Sequence, residues 1–136
     1  MVTFTISYDG ELRCSATHGP SHTVIATDAP KDNHGRGETF SPTDLTATAF
    51  ATCIITTIAI QTRNDGIALT GIRAQVEKHM TTTPPRRIAR LVARFTMPTG
   101  IPIHAREKIA QIAHACPVAL SLHPDVIQEM TFTYPD

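Results

Sequence analysis

From Val2 to Tyr8, Val, Phe, Ile and Tyr alternate with Thr and Ser, the period-two pattern of a half-buried strand. Asp9-Gly10 predicts a hairpin turn. A second strand follows over about Glu11 to Thr17 and a third over about His22 to Thr27. Ala29-Pro30, Asp32-Asn33, Gly35 and Gly37 then punctuate a loop from Asp28 to Phe40. Ser41-Pro42-Thr43-Asp44 reads as a helix start. Ser41 caps the first turn, Pro42 suits the first helical position, and Asp44 favours the positive end of the helix dipole. The helix is expected to run through Cys53 to about Asn64, with Gly66 as its left-handed cap. From Leu45 to Ile60 apolar or small residues fall on nearly every face, so this helix is expected to be central and covered on most sides.

Beyond it, Ile72 to His79 alternates Ile72, Ala74 and Val76 against Arg73, Gln75 and Glu77, a strand whose partner, Ile88 to Phe95, follows the turn at Thr82-Thr83-Pro84-Pro85. From Pro102, Ala105, Ile109, Ile112 and Ala113 recur at helical spacing. Cys116-Pro117 ends that helix and opens a short helical turn through Leu122, and Val126 to Tyr134 forms the last strand. The order βββ-α-ββ-α-β predicts an α+β fold with strands packed around a buried helix. One small sheet is too little to cover so apolar a helix, and a second subunit is the natural cover.

The chain of 136 residues is the size of one domain, 1–136. Hydrophobic residues make up 41% and charged residues 18%, a globular balance. Lys plus Arg and Asp plus Glu number 12 each, so no basic field exists to release counterions from a phosphate backbone, and no nucleic-acid partner is expected. The N-terminus lacks the basic and apolar regions of a signal peptide. Leu45 to Ile60 is shorter than a membrane span and contains five threonines. These features predict a cytoplasmic chain with no membrane partner, where cysteines serve catalysis, metal binding or the core rather than a static bridge.

Cys53 lies about three turns inside the long helix, a position equally suited to a small core residue. Cys116 precedes Pro117 at the start of a helical turn, where the dipole and free N–H groups favour a thiolate. Cys14, His18 and His22 follow a C-x3-H-x3-H spacing compatible with zinc. On an extended strand that spacing stretches over roughly 26 Å, so no metal and no cofactor are expected. His114 precedes Cys116 by two residues, and such neighbours on a helix do not face one another. Two cysteines in these settings suit a redox pair, but their spacing does not show that they touch.

Phe40-Ser41-Pro42-Thr43-Asp44-Leu45 followed by Cys53, Gly71 with its strand, Pro85-Arg86-Arg87-Ile88 and Ala115-Cys116-Pro117-Val118 together resemble the OsmC/Ohr family of hydroperoxide-detoxifying proteins, from about Tyr8 to Tyr134. The resemblance implies an OsmC-like fold, with strands wrapped around two central helices in an intertwined homodimer whose active sites lie at the subunit interface. It implies that Cys53 attacks an organic hydroperoxide and that Cys116 resolves the sulfenic acid. The two Cα atoms would then lie no more than roughly 7 Å apart, or reach that separation by a small shift. A dithiol, of lipoyl type or a small thiol, would regenerate the pair. Arg13 matches the family's activating arginine on an early strand.

In the hydroperoxide-resistance branch a Glu follows the helix-start proline and pairs with that arginine; Thr43 stands there in this chain. The pattern is therefore closer to the broader OsmC-like branch, and Glu38, on the glycine-bearing loop, is the carboxylate expected to orient Arg13. The leading reading is a thiol peroxidase in oxidative-stress defence. The alternatives are a non-enzymatic module that binds a small apolar ligand at the dimer interface, and a thiol transferase or Cys-His acyl-transfer enzyme.

Overall fold

The computed structural model describes residues 1–135 as two compact units, divided after Thr46. In the first, β1 (Phe4–Gly10), β2 (Arg13–His18) and β3 (Val24–Asp28) form an antiparallel sheet in the order β1-β2-β3. The first hairpin departs from expectation. Gly10 pairs with Arg13, so the two turn residues are Glu11 and Leu12, both with positive φ (54° and 64°). Twin positive φ gives the strand-matched twist of a type I′ turn. The Asp9 carboxylate instead accepts the hydroxyls of Ser7 and Ser15. β3 begins two residues later than expected because His22, at φ 61°, belongs to a turn closed by His18 N–H on Thr23 O and His22 N–H on His18 O, both 2.8 Å.

The alternation in β1 is real, yet its apolar side is open within the chain: Phe4, Ile6 and Tyr8 are all exposed. The register Ile6–Ala16–Ile25 continues that apolar surface across the sheet, where Phe4, Ile6, Ala16 and Ile25 line a hollow of about 320 Å³.

The long helix α1 (Pro42–Thr62) starts on a reciprocal cap. Ser41 N–H donates to Asp44 Oδ2 at 2.9 Å, and Asp44 N–H donates to Ser41 Oγ at 3.1 Å. Asp44 thus does more than complement the dipole; it closes a capping box. The helix ends two residues before Asn64, with Gly66 left-handed at φ 69°.

In the second unit, β4 (Arg73–Met80) and β5 (Ile88–Thr96) are antiparallel, and β6 (Ile127–Thr133) lies parallel to β5. A parallel neighbour needs a crossover, which α2 (Ile103–His114) and α3 (Pro117–Ser121) provide. The core of this unit joins Phe50, Ile54 and Ile58 of α1, Leu91, Ala93 and Phe95 of β5, and Ile109, Ile112 and Ala113 of α2. Each fully buried Phe, Leu or Ile contributes about 1.5–3 kcal/mol relative to exposure. Phe95 stacks on Phe132 with centroids 4.9 Å apart.

Only one stripe of α1 is buried, Ala47, Phe50, Ala51, Ile54, Ile58 and Thr62. The helix is not covered on most sides by its own chain; Thr52, Thr56, Ala59 and Ile60 remain exposed. At 21 residues and a mean hydropathy of 1.5 it also passes the length and composition test for a membrane span, which the shorter apolar stretch alone did not suggest. Its buried stripe is instead occupied by the core just described. Thr46, Thr52 and Thr62 return their hydroxyls to carbonyls one turn back, so the threonines add little free polar surface.

Candidate functional site

Cys53 projects from the fourth turn of α1, half-buried and packed against the core of the second unit. Cys116 is fully buried and is the N-cap residue of α3. Its backbone is extended, and its sulfur accepts the Ala119 N–H at 3.3 Å. The two thiols are near enough for the Cys53 sulfur to act electrostatically on Cys116, and Cys53 packs against the core cluster that contains Cys116. Residues far apart in the chain therefore meet because α1 and the α2–α3 corner share one core. Neither cysteine is in a disulfide.

The Cys116 thiol is pushed above its ordinary value, chiefly by burial, and the neighbouring Cys53 sulfur pushes in the same direction. The N–H groups of Ala119 and Val118 pull it down. The expectation that the helix start favours a Cys116 thiolate is therefore corrected: desolvation outweighs two backbone donors. Cys116 is a thiol that keeps its proton, and Cys53 is the more accessible sulfur. Thr57, one turn beyond Cys53, sets its hydroxyl 3.8 Å from Cys53 Sγ. The i, i+4 spacing carried that signal, and sequence reasoning passed over it.

The charged candidates belong to the first unit. Arg13 Nη1 stands 3.5 Å from Glu38 Oε2 and 3.9 Å from Asp28 Oδ2. Glu38 also faces Arg36 at 3.7 Å, and Arg36 reaches Glu11 at 3.0 Å. The expected Arg13–Glu38 pairing is thus present. Asp28, read from sequence only as the start of a loop, is a second partner and is buried. Thr43 meets the Ser41 hydroxyl at 3.2 Å within the cap.

The remaining candidates separate. Cys14 stands in register between Tyr8 and Thr27, and the His18 ring packs against Phe4 and bonds Ser21 Oγ at 2.6 Å. Among the described residues no three His, Cys, Asp or Glu side chains gather as a metal-sized group. His114 is exposed while Cys116 is buried, so these two near neighbours in sequence lie in different surroundings.

The model of the OsmC-like protein family matches residues 35–130. A crystal structure from Psychrobacter arcticus 273-4, provisionally described as an osmotic stress induced and detoxification response protein, is 41% identical. It covers 98% of this chain and 96% of its own, with a TM-score of 0.92. An organic hydroperoxide resistance protein OsmC from Legionella pneumophila aligns at 17% identity, 98% and 96% coverage and TM-score 0.77. An organic hydroperoxide resistance protein from Elizabethkingia anophelis aligns at 13% identity with the same coverages and TM-score. At such identities these last two speak for the fold. No curated protein matches the chain.

Proposed function

The chain belongs to the OsmC-like family, and from that premise we propose that it is a thiol peroxidase that reduces organic hydroperoxides through Cys53 and Cys116. The observation that carries this reading is the proximity, in one core, of a half-buried thiol and a buried, proton-retaining one. The Cys53 thiolate attacks the distal peroxide oxygen, and the O–O bond breaks. Cys53 becomes a sulfenic acid, and the alkoxide takes a proton and leaves as the alcohol. Cys116 then attacks the sulfenic sulfur, losing its proton as the hydroxide leaves as water, and a disulfide forms. A dithiol of lipoyl type, or two small thiols, restores both cysteines and carries away the two electrons' worth of oxidation.

The order of roles follows from burial. An attacking sulfur must be reached by substrate and be ionised, and Cys53 is the accessible one. A resolving sulfur needs only to reach its partner, and a retained proton keeps Cys116 from reacting first. Arg13 takes the part of the family's activating arginine that the resemblance implies, and Glu38 is its partner on the exposed side. The whole chain acts as one OsmC-like domain in a cytoplasmic homodimer whose subunits jointly form each site. The uncovered stripe of α1 and the open apolar face of the first sheet support that assembly, because contiguous exposed apolar surface of this kind marks an interface.

The test is consumption of cumene hydroperoxide at the expense of dihydrolipoamide, for wild type and Cys53→Ser. Loss of turnover in the variant is expected. A wild type that consumes no hydroperoxide under any dithiol would leave the ligand-binding module as the better reading.

A further inference from the structure

We infer that Asp28 is the positioning residue that anchors Arg13, and that Glu38 is its outer, exchangeable partner. The inference rests on the proposed role of Arg13 and adds a residue to it.

Three observations separate the two carboxylates. Arg13 and Asp28 are direct partners in the β2–β3 ladder, so their side chains rise from the same place on the sheet whatever the loop does. Directly opposed pairs of opposite charge are the favourable arrangement across antiparallel strands. Asp28 is also held at both ends. Its backbone N–H donates to Phe40 O at 3.1 Å, and its Oδ2 accepts the Glu38 N–H at 3.0 Å. The Asp28 side chain has no exposed surface, whereas that of Glu38 is 52% exposed and shared with Arg36. Exposed pairs are screened and lose side-chain entropy on forming; a buried carboxylate has already lost that freedom.

The third observation is a vacancy in the bonding. Asp28 Oδ1 is buried and has no hydrogen-bond partner. An uncompensated buried carboxylate is costly unless a cation neutralises it, and Arg13 is the cation that faces it. At 3.9 Å the Arg13–Asp28 contact is an ion pair without a hydrogen bond. The open Oδ1 offers the guanidinium a second acceptor, so a small closing movement would make the pair bidentate. Asp28 thereby stands in for the missing glutamate at Thr43, from a strand rather than from the helix.

The experiment is a double-mutant cycle read as kcat/KM for cumene hydroperoxide. Asp28→Asn, which keeps the shape and removes the charge, is expected to lose about tenfold, and Glu38→Gln about twofold. In an Arg13→Ala background Asp28→Asn should cost nothing more, since a residue that acts through Arg13 has nothing left to position. Asp28→Asn should also change the split between kcat and KM in the same way as Arg13→Ala, which a purely structural role would not do. An additive loss in the double variant, or a larger loss in Glu38→Gln than in Asp28→Asn, overturns the inference.

Nitrogen NMR of the Arg13 guanidinium in wild type and Glu38→Gln gives an arm that needs neither folding of the Asp28 variant nor peroxidase activity. Restricted rotation should persist in Glu38→Gln; free rotation there identifies Glu38 as the anchor and overturns the inference. A wild type without hydroperoxide activity, but with a restricted Arg13 in Glu38→Gln, defeats the proposed reaction and leaves the anchoring intact.

Discussion

Replacing Cys116 with Ala removes two things at once, and both are measurable. The sulfur caps α3 by accepting the Ala119 N–H at 3.3 Å, and Ala119 is itself buried. Losing an N-cap acceptor costs about 0.5–2 kcal/mol, and a sulfur acceptor on a five-residue helix belongs at the lower end, near ~0.7 kcal/mol. Cys116 is also fully buried, so deleting its sulfur gives up roughly the transfer energy of one methylene, ~0.8 kcal/mol. The sum, ~1.5 kcal/mol, lowers the melting temperature of a domain this size by roughly 5–8 °C. Chemically, the variant has no resolving thiol. One equivalent of cumene hydroperoxide without reductant should leave Cys53 as a sulfenic acid that dimedone traps, with a single thiol lost, whereas wild type should give little adduct. The assay is intact-protein mass spectrometry beside a calorimetric melt. A melting temperature within a degree of wild type would refute the capping argument. A dimedone yield no higher than that of wild type would refute the resolving role.

Three further outcomes follow from the same geometry. Because the folded state raises the Cys116 pKa, the folded chain keeps a proton that the unfolded chain loses above about 9. This stabilisation is present below that pH and fades as pH rises through the folded value, so melting temperature should fall more steeply at high pH in wild type than in Cys116→Ala; parallel curves would contradict the shift. Ile60→Glu, on the open stripe of α1, should turn a sedimenting dimer into a monomer, and a wild type that is monomeric at micromolar concentration removes the assembly altogether. Thr43→Glu should leave hydroperoxide turnover within about twofold of wild type, because Asp28 and Glu38 already hold Arg13; a severalfold gain would mean that Arg13 lacks its anchor.

Much of the fold was legible because local signals agreed with the tertiary structure. Ser41 and Pro42 open α1 where the sequence places its start, Gly66 is left-handed in the turn beyond its end, and β4 and β5 pair as the hairpin signal implies. The misread hairpin had a physical cause. Asp9-Gly10 is the stronger turn signal, but the pair that takes positive φ is Glu11-Leu12, which no propensity favours. The exposure of one α1 stripe was hidden as well, since a helix apolar on every face looks the same whether its cover comes from its own chain or from another. At the site, each thiol's local setting could be read, but their nearness could not, because it depends on how α1 and α3 share a core. The Cys116 proton was misjudged for a related reason: helix-start donors are visible in sequence, and the burial that outweighs them is not. Asp28 escaped notice because an acid before Ala-Pro reads as a solvated loop, and only the β2–β3 register sets it opposite Arg13.

The claim that Cys53 and Cys116 form one redox pair is tested most directly by mapping the thiols of wild type after one equivalent of cumene hydroperoxide and no reductant. Of the three free cysteines, only Cys14 should remain alkylatable, and a peptide joining Cys53 to Cys116 by a disulfide should appear within a single turnover. Three alkylatable thiols, or a disulfide that includes Cys14 in place of Cys116, would contradict it.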